Sequence, residues 1–578
     1  MNRFIEIRPR PPGSFRSTAV HPRISQIYAA RHVESEEDID YRLENLLSPE
    51  DLPGIADALD ILEDCLERDA RIMFIGDFDA DGATSTVVGL NALAAMGASD
   101  VDYLVPNRFE HGYGLSAEIV RNASKKRPDL LITVDNGIAN IEGVEVAKDH
   151  GMSVIITDHH LPGDRLPRAD AIVNPNLNGS PFGSNALAGV GVIFYLMVAL
   201  RSRLRDRGWF GEDRPQPNLG ELLDLVAIGT VADLVPLDRN NRILVAKGLD
   251  RINAGRSRPG VSALLGFCSG RIGEISTSDL GFAVAPRLNA AGRLKDMSLG
   301  IECLLSDDSL RASDMAGELD RLNKERREIE SKMKNQAIEL VDAMHLSGVA
   351  GYGICLYDER WHQGIVGLVA SRIKDRTGKP VIAFADAGDD ELKGSARSVS
   401  GLHIRDILSD ISTHHPGLIV RFGGHAAAAG LSLRKNDLKR FSDAFSQEVE
   451  SHSSDEGGDG IVYSDGSLGD EELTLDFAGV LRCSGPWGQH FPEPMFDDEF
   501  NVLDSKTVGN GHLKLRVRKK GSATVIDAIA FNHDGVVDSK KMENGVRMVY
   551  TLDINEYRGV RKPQLIVRHL LPAQDESK

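Results

Sequence analysis

RIMFIGDFDADGATSTVVGLNALAAMG, residues 71–97, is the stretch that decides the fold. It opens on a short apolar run, RIMFI (71–75), and closes on TSTVVGLNALAAMG (84–97), a helical stretch. A strand feeding a helix in this way is half of a βαβ unit. Two more such runs follow, DLLITV (129–134) and SVIIT (153–157). All three are continuously apolar, which predicts a parallel sheet covered on both faces. LLDLVAIGTVADLVPL (222–237) belongs to the same body.

Working outward, residues 1–70 are polar and predict mainly helix. Residues 313–344 predict one long helix, on which Met315, Leu319, Leu322, Ile329, Met333, Leu340 and Met344 follow a 4/3 spacing broken by Arg326 and Gln336. Asp320/Lys324, Glu328/Lys332 and Glu330/Lys334 are favourable four-residue pairs for its wet face. Such a helix would span roughly 48 Å and could join two domains. A coiled-coil dimer arm is the alternative, weakened by the short, broken repeat. GICLY (353–357), IVGLVASRIKDR (365–376), PVIAFA (380–385) and GLIVRFGGHAAAAG (417–430) then predict a smaller α/β domain. SHSSDEGGDG (451–460) reads as a linker. The alternating runs LKLRV (513–517), ATVIDAIAF (523–531), RMVYTLDINEY (547–557) and QLIVRHLL (564–571) predict a small all-β module, with a barrel as one form it could take.

The length of 578 residues fits three or four modules. No apolar run approaches the roughly 20 residues that span a bilayer, and no signal-peptide core is present, so a cytoplasmic protein is expected. Cys65, Cys268, Cys303, Cys355 and Cys483 are scattered, which excludes a thiolate zinc knuckle and predicts reduced, buried thiols. The net charge of −19 argues at first sight against a nucleic-acid binder. A carboxylate cluster that holds divalent metals inflates that figure, and local basic patches matter more than the sum.

IGDFDADG (75–82) is the segment richest in chemistry. Asp77, Asp79 and Asp81 alternate along it, and three carboxylates so close repel one another unless cations are present. Hard divalent metals favour such oxygen ligands. A calcium loop of EF-hand type would need a glutamate where Val88 stands. TVDNG (133–137) puts Asp135 where a strand ends, and ITDHHLP (156–162) does the same for Asp158, His159 and His160. Ligands of open parallel sheets collect at the carboxyl ends of strands. Side chains alternate along extended chain, so one histidine should serve a metal and the other should face a substrate. In GTVADLVP (229–236) Asp233 interrupts an apolar run and must be paired, metal-bound or a helix cap. Together these residues suit one or two Mn²⁺ or Mg²⁺ ions and phosphoester hydrolysis.

The order DxDxDG, VDNG, TDHH and an isolated ADLVPL resembles the DHH phosphoesterase superfamily. GGHAAAAG (423–430) resembles the glycine–histidine motif of DHHA1 domains. NRFEHGYGL (107–115), APRLNAAGR (285–293), RWHQGIVGLVASRI (360–373) and KGSARS (393–398) resemble the RecJ branch, and GPWGQHFPEPMF (485–496) with the final β module resembles the OB-fold of that branch. The resemblance covers residues 45–570. It implies an N-terminal extension (1–45), a parallel-sheet DHH domain (46–312), a connecting helix (313–345), an α/β DHHA1 domain (346–450), a linker (451–462) and an OB-fold (463–572).

The resemblance also implies roles. Asp79, Asp81, Asp135, His159 and Asp233 match metal ligands, with Asp135 bridging two ions, and Asp77 is either a ligand or a supporting carboxylate. Asp158 would orient a histidine. His160 would contact the scissile phosphate or act as an acid. Arg108, Arg287, Ser395 and Arg397 would hold the 5′ end of a strand, and His425 would line its path. The implied activity is 5′-to-3′ hydrolysis of single-stranded DNA to mononucleotides, in recombination and repair. The implied protein is a monomer, with a single-strand-binding protein and a helicase as partners. The competing readings are a phosphodiesterase for oligonucleotides or cyclic dinucleotides, a pyrophosphatase, and a scaffold without activity.

Overall fold

The computed structural model describes residues 5–107, 114–268, 273–346, 351–452, 461–509, 511–531 and 545–572. Strand β1 (Glu6–Pro9) comes first. Strands β2 (Ile72–Ile75), β3 (Val101–Leu104), β4 (Leu130–Val134), β5 (Ser153–Thr157) and β6 (Ala171–Val173) then form a sheet in the order β3-β2-β4-β5-β6. Every pairing in it is parallel. The central strands β2 and β4 are buried at every residue, as their unbroken apolar runs require. The edge strands β3 and β6 have no signal in the sequence reading. VDYL in β3 is only half-buried and AIV in β6 is three residues long, so neither forms an apolar run.

Strands β7 (Ile354–Tyr357), β8 (Val381–Asp386), β9 (Glu391–Arg397), β10 (Arg421–Gly424) and β11 (Ala428–Arg434) form a mixed sheet ordered β10-β11-β9-β8-β7. Strand β12 (Ile461–Ser464) pairs in parallel with β1. Strands β13 (Phe496–Val508), β14 (His512–Lys519), β15 (Val525–Ala530), β16 (Val546–Tyr557) and β17 (Val560–Pro572) close a barrel in the order β13-β14-β15-β17-β16. Strand β13 escaped the sequence reading because FDDEFNVLDSKTV puts charges on its outer positions and shows only Phe496, Asp498 and Phe500 to the interior.

The long helix runs Ser309–Leu346, two to four residues longer at each end than predicted. It belongs to two cores. Ala316, Leu319 and Leu322 pack into the core of the first sheet, while Met333, Ala337 and Val341 pack with Ile354, Leu356 and Val381 of the second. Its apolar stripe is therefore covered by its own chain. Asp320 does meet Lys324, at 2.7 Å, but it is not on a wet face: it is buried against Arg287. Glu330 is likewise buried and takes Arg326 and Arg372 as partners.

Residues of the N-terminal 45 are tied to the C-terminal third. Arg31 and Asp465 form a buried bidentate pair at 2.8 and 2.9 Å, Arg23 reaches Glu472 at 2.9 Å, and Tyr28 packs on Trp487 and Phe491. One apolar cluster runs from Phe15 through the first sheet to Val567 in the barrel. Cys65, Cys303 and Cys355 are buried as expected, Cys268 is half-buried and Cys483 is exposed. Among the described residues no helix is long and apolar enough to cross a membrane.

Candidate active site

The carboxyl ends of β2, β4 and β5 meet at one edge of the parallel sheet, and each carries one acidic motif. After β2 the chain turns through Asp77 into helix Ala80–Ala95. Asp79 caps that helix, its Oδ1 accepting from the backbone N–H groups of Asp81 and Gly82 at 3.0 Å. Asp81 is buried, and its two oxygens accept from the N–H groups of Gly189 (2.7 Å) and Val190 (3.0 Å). Those amides open helix Gly189–Asp206, whose positive end suits a carboxylate. Asp135 follows β4 in a left-handed conformation, φ 62°, which aspartate tolerates better than most residues.

After β5 the chain leaves the strand at Asp158. Asp158 is buried and accepts from the N–H groups of Ile138, His159 and His160 and from His160 Nδ1, the last at 2.7 Å. Burial alone would raise this carboxyl, but the bond from His160 and the adjacent charge hold it below the usual range. The two histidine rings do not point opposite ways, because residues 158–160 are no longer extended. Their centroids are 4.5 Å apart, and one atom each of Asp135, His159 and His160 lies within a 4.8 Å group. Asp233 arrives differently, as the C-terminal cap of helix Leu223–Ala232.

These residues fit a divalent metal. His159 Nε2 is buried and forms no hydrogen bond, yet it faces Asp135 Oδ1 at 3.1 Å and Asp233 Oδ2 at 3.4 Å. Asp81, His159 and Asp233 form one compact donor group, and Asp77, Asp79 and Asp135 another. Burial and neighbouring carboxylates push Asp81 and Asp233 up to about 7 and Asp135 well above its usual range. Without cations the folded site therefore favours protonated acids. The contribution to metal-free stability is fully present in acid and is lost as pH rises from the ordinary carboxylate range through about 7. Metal-free protein is expected to melt lower at about pH 8 than at about pH 5.5, and Mn²⁺ should raise the midpoint more at the higher pH, since it competes with protons. Thermal melts with and without Mn²⁺ check this; an equal Mn²⁺ effect at both values would place the ion elsewhere.

Glycines make this crowding possible. A Cβ at Gly189 would lie 2.5 Å from Asp135 Cβ, and one at Gly229 would lie 2.7 Å from Asp81 Oδ1. Gly189→Ala should therefore lower metal-dependent turnover about 100-fold by displacing Asp135, although alanine favours a helix by about 1 kcal/mol over glycine. Unchanged kcat in a folded variant would remove Gly189 from the site. Two asparagines also support the motif: Asn174 Nδ2 donates to His160 O at 2.9 Å and Asn136 Nδ2 to Ile75 O at 3.1 Å. Asn289 Oδ1 accepts from Ala80 N at 2.8 Å. The sequence reading did not single out these residues. Their signal lay in VNPN (173–176), in VDNG and within APRLNAAGR.

A polar cavity of about 300 Å³ lies beside this edge, lined by Arg293, Gln363, Ser395, Arg397 and His425. Arg397 Nη1 donates to Ser395 Oγ at 3.0 Å, and Arg293 Nη1 reaches across to Gly364 O at 3.2 Å. Burial, then His160 and Arg397, disfavour a proton on His425, which therefore lies within electrostatic reach of His160. Ser395, Arg397 and His425 line this one cavity. Arg287 is held elsewhere, paired with Asp320 at 2.7 Å and lying over Phe267, because its side chain turns back onto the long helix. Arg293, which ends the same motif, lines the cavity instead. Arg108 lies outside the described residues.

Comparison with known proteins agrees with this architecture. Residues 71–230 match the DHH family N-terminal domain, residues 349–451 the DHHA1 domain and residues 464–569 the RecJ OB domain. The chain is 49% identical to the single-stranded-DNA-specific exonuclease RecJ of Dickeya dadantii over 99% of its own length and 100% of that protein. Identity to the Escherichia coli protein of that name is also 49%, covering 95% of this chain and 96% of that one. The crystal structure of Thermus thermophilus RecJ in complex with Mn²⁺ superposes with a TM-score of 0.80 at 29% identity, covering all of this chain and 81% of that one. A second structure from the same organism is in complex with Mg²⁺, with a TM-score of 0.73 at 28% identity, covering 98% of this chain and 79% of that one. A parallel sheet whose strand ends gather aspartates and histidines, a DHHA1-type second sheet and a closed OB barrel thus coincide with near full-length identity: the chain belongs to the RecJ family of DHH phosphoesterases.

Proposed function

We propose that this chain is a metal-dependent exonuclease specific for single-stranded DNA, that it digests from the 5′ end and that it releases mononucleotides in recombination and repair. The observation that carries the reading is the neighbourhood of two sites: a carboxylate–histidine edge and, beside it, a cationic cavity of about 300 Å³ with room for a terminal phosphate group. In this reading residues 46–312 hold the reacting bond, 346–450 grip the strand end and 463–572 bind the strand beyond. The enzyme acts as a cytoplasmic monomer, with a single-strand-binding protein and a helicase as partners.

Asp77, Asp79, Asp81, Asp135, His159 and Asp233 would hold Mn²⁺ or Mg²⁺, as two ions. When bound, such ions supply a low-pKa water and Lewis-acid stabilisation of phosphoryl oxygens. The protein's own groups do the rest. Asp158 accepts a hydrogen bond from Nδ1–H of His160 and so aims Nε2 outward. Burial alone would lower the His160 pKa, but the hydrogen bond and charge of Asp158, joined by Asp233 and Asp77, raise it to about 9. His160 can thus present a proton at Nε2 to a phosphate oxygen near neutral pH. Arg293, Arg397 and Ser395 would donate to the terminal 5′-phosphate, arginine's fork matching its oxygens.

In the barrel, Lys519 is committed to Asp498 at 2.9 Å and Lys520 to Glu499 at 2.9 Å, whereas Arg516 and Arg518 point outward from β14. Replacing both arginines by alanine should weaken binding of long single strands and reduce the salt slope by about 1.4, with little effect on short oligonucleotides. Binding titrations at several salt concentrations check this. The decisive test of the activity is digestion of end-labelled oligonucleotides with and without Mn²⁺. Mononucleotide release from the 5′ end of single strands is expected. Release from the 3′ end, or a preference for duplex, would overturn the reading.

A further inference from the structure

Two helices of the second domain carry the same carboxylate–imidazole step. Helix Ile404–His414 presents Asp410 and His414, and helix Leu438–His452 presents Glu448 and His452. A separation of four places each pair on one helix face. The faces meet. His452 Nε2 lies 3.2 Å from Asp410 Oδ2, and the two oxygens of Glu448 are divided between the rings, 3.7 Å from His452 Nδ1 and 3.3 Å from His414 Nδ1. Donor atoms of Asp410, Glu448 and His452 all lie within 4.8 Å of one another.

One hydrogen bond fixes which nitrogen is available. His452 Nδ1 is 2.9 Å from the backbone carbonyl oxygen of Glu448. A carbonyl only accepts, so Nδ1 carries the hydrogen and Nε2 of the neutral ring turns a lone pair toward Asp410. Two acceptors 3.2 Å apart repel unless a cation or a proton lies between them. His159 Nε2 faces Asp135 and Asp233 in the same manner.

We propose that Asp410, Glu448 and His452 form a second divalent-metal site, of the zinc class, which staples these two helices together, with His414 held on the other oxygen of Glu448. One imidazole and two carboxylates leave a fourth position open in the tetrahedral set that zinc accepts, while Mg²⁺ and Mn²⁺ prefer more oxygens, and His414 orients Glu448 from outside that set. The site is built from other elements than the catalytic edge, and its metal would act on the shape of the second domain.

The test uses the full chain. Zn²⁺ is counted by equilibrium dialysis, and Co²⁺ is added as a visible-absorbing substitute, in the wild type and in His414→Ala/His452→Ala. The double variant should lose one equivalent of Zn²⁺ and the tetrahedral Co²⁺ band while it keeps Mn²⁺-dependent nuclease activity, which shows that it folds. His414→Gln, a change at an exposed ring, is the second variant and should weaken that equivalent about tenfold or more. Unchanged stoichiometry and spectrum in the double variant, or unchanged affinity in His414→Gln, would overturn the proposal and leave imidazolium charge as the cause of the clustering.

Discussion

Asp135→Asn is expected to abolish nuclease turnover, by about 10³-fold or more, while it raises the melting midpoint of the metal-free protein. The two effects have one cause. Asp135 is buried against Asp81, Asp79, Asp233 and Asp77, and burial followed by these charges pushes its pKa well above the ordinary range. A neutral amide removes the repulsion and also removes the carboxylate proposed as the central ligand. Asparagine tolerates the left-handed backbone at this position, so the fold should persist where a β-branched residue would not. The scale of the activity loss is that of deleting a preorganised charge from an active site. Single-turnover assays beside thermal melts in chelator check both halves. Residual Mn²⁺-dependent activity above a few per cent would show that the ions are held without Asp135. A lower metal-free midpoint would show that the charge repulsion is relieved some other way.

Arg397→Ala should instead act on recognition of the strand end. Charge-assisted hydrogen bonds contribute about 1.5–3 kcal/mol, so the KM for 5′-phosphorylated single strands should rise about 10- to 150-fold. The kcat at saturation should change little, since the contact is made equally before and during the reaction. The preference for 5′-phosphate over 5′-hydroxyl ends should collapse in the same variant. Arg397→Lys keeps the charge but not the fork, and should fall between. Equal discrimination by wild type and Arg397→Ala would assign the cavity some other ligand.

The catalytic half of this picture was legible in the sequence because it depends on local order. A carboxylate after an apolar run lies at a strand end whichever helices intervene, so Asp77, Asp79, Asp81, Asp135 and His159 could be grouped before any coordinate was known. Asp233 was legible only as an anomaly within an apolar run, since a helix terminus brings it in. What could not be read was contact between distant segments. Nothing local marks Gly189 as the wall behind Asp135, or shows that Arg287 turns back to Asp320 while Arg293 faces the cavity. Strand β3 and strand β13 were missed for a related reason: half-buried edges and outward charges erase the pattern by which a strand is read. The 45 N-terminal residues looked like an appendage because their partners, Asp465, Glu472 and Trp487, lie more than 400 positions away.

The helix Ser309–Leu346 sets a rule for insertions and deletions. Its first half belongs to one core and its second half to the other. Adding one residue between Leu322 and Met333 would rotate everything beyond by about 100° and advance it about 1.5 Å. Arg397 and His425 would swing away from His160 although neither site had been altered. Length changes should therefore be far less tolerated in this stretch than substitutions: even seven residues, which return the same face after two turns, would advance the second domain by about 10.5 Å. The helix works as a ruler that fixes angle and distance together.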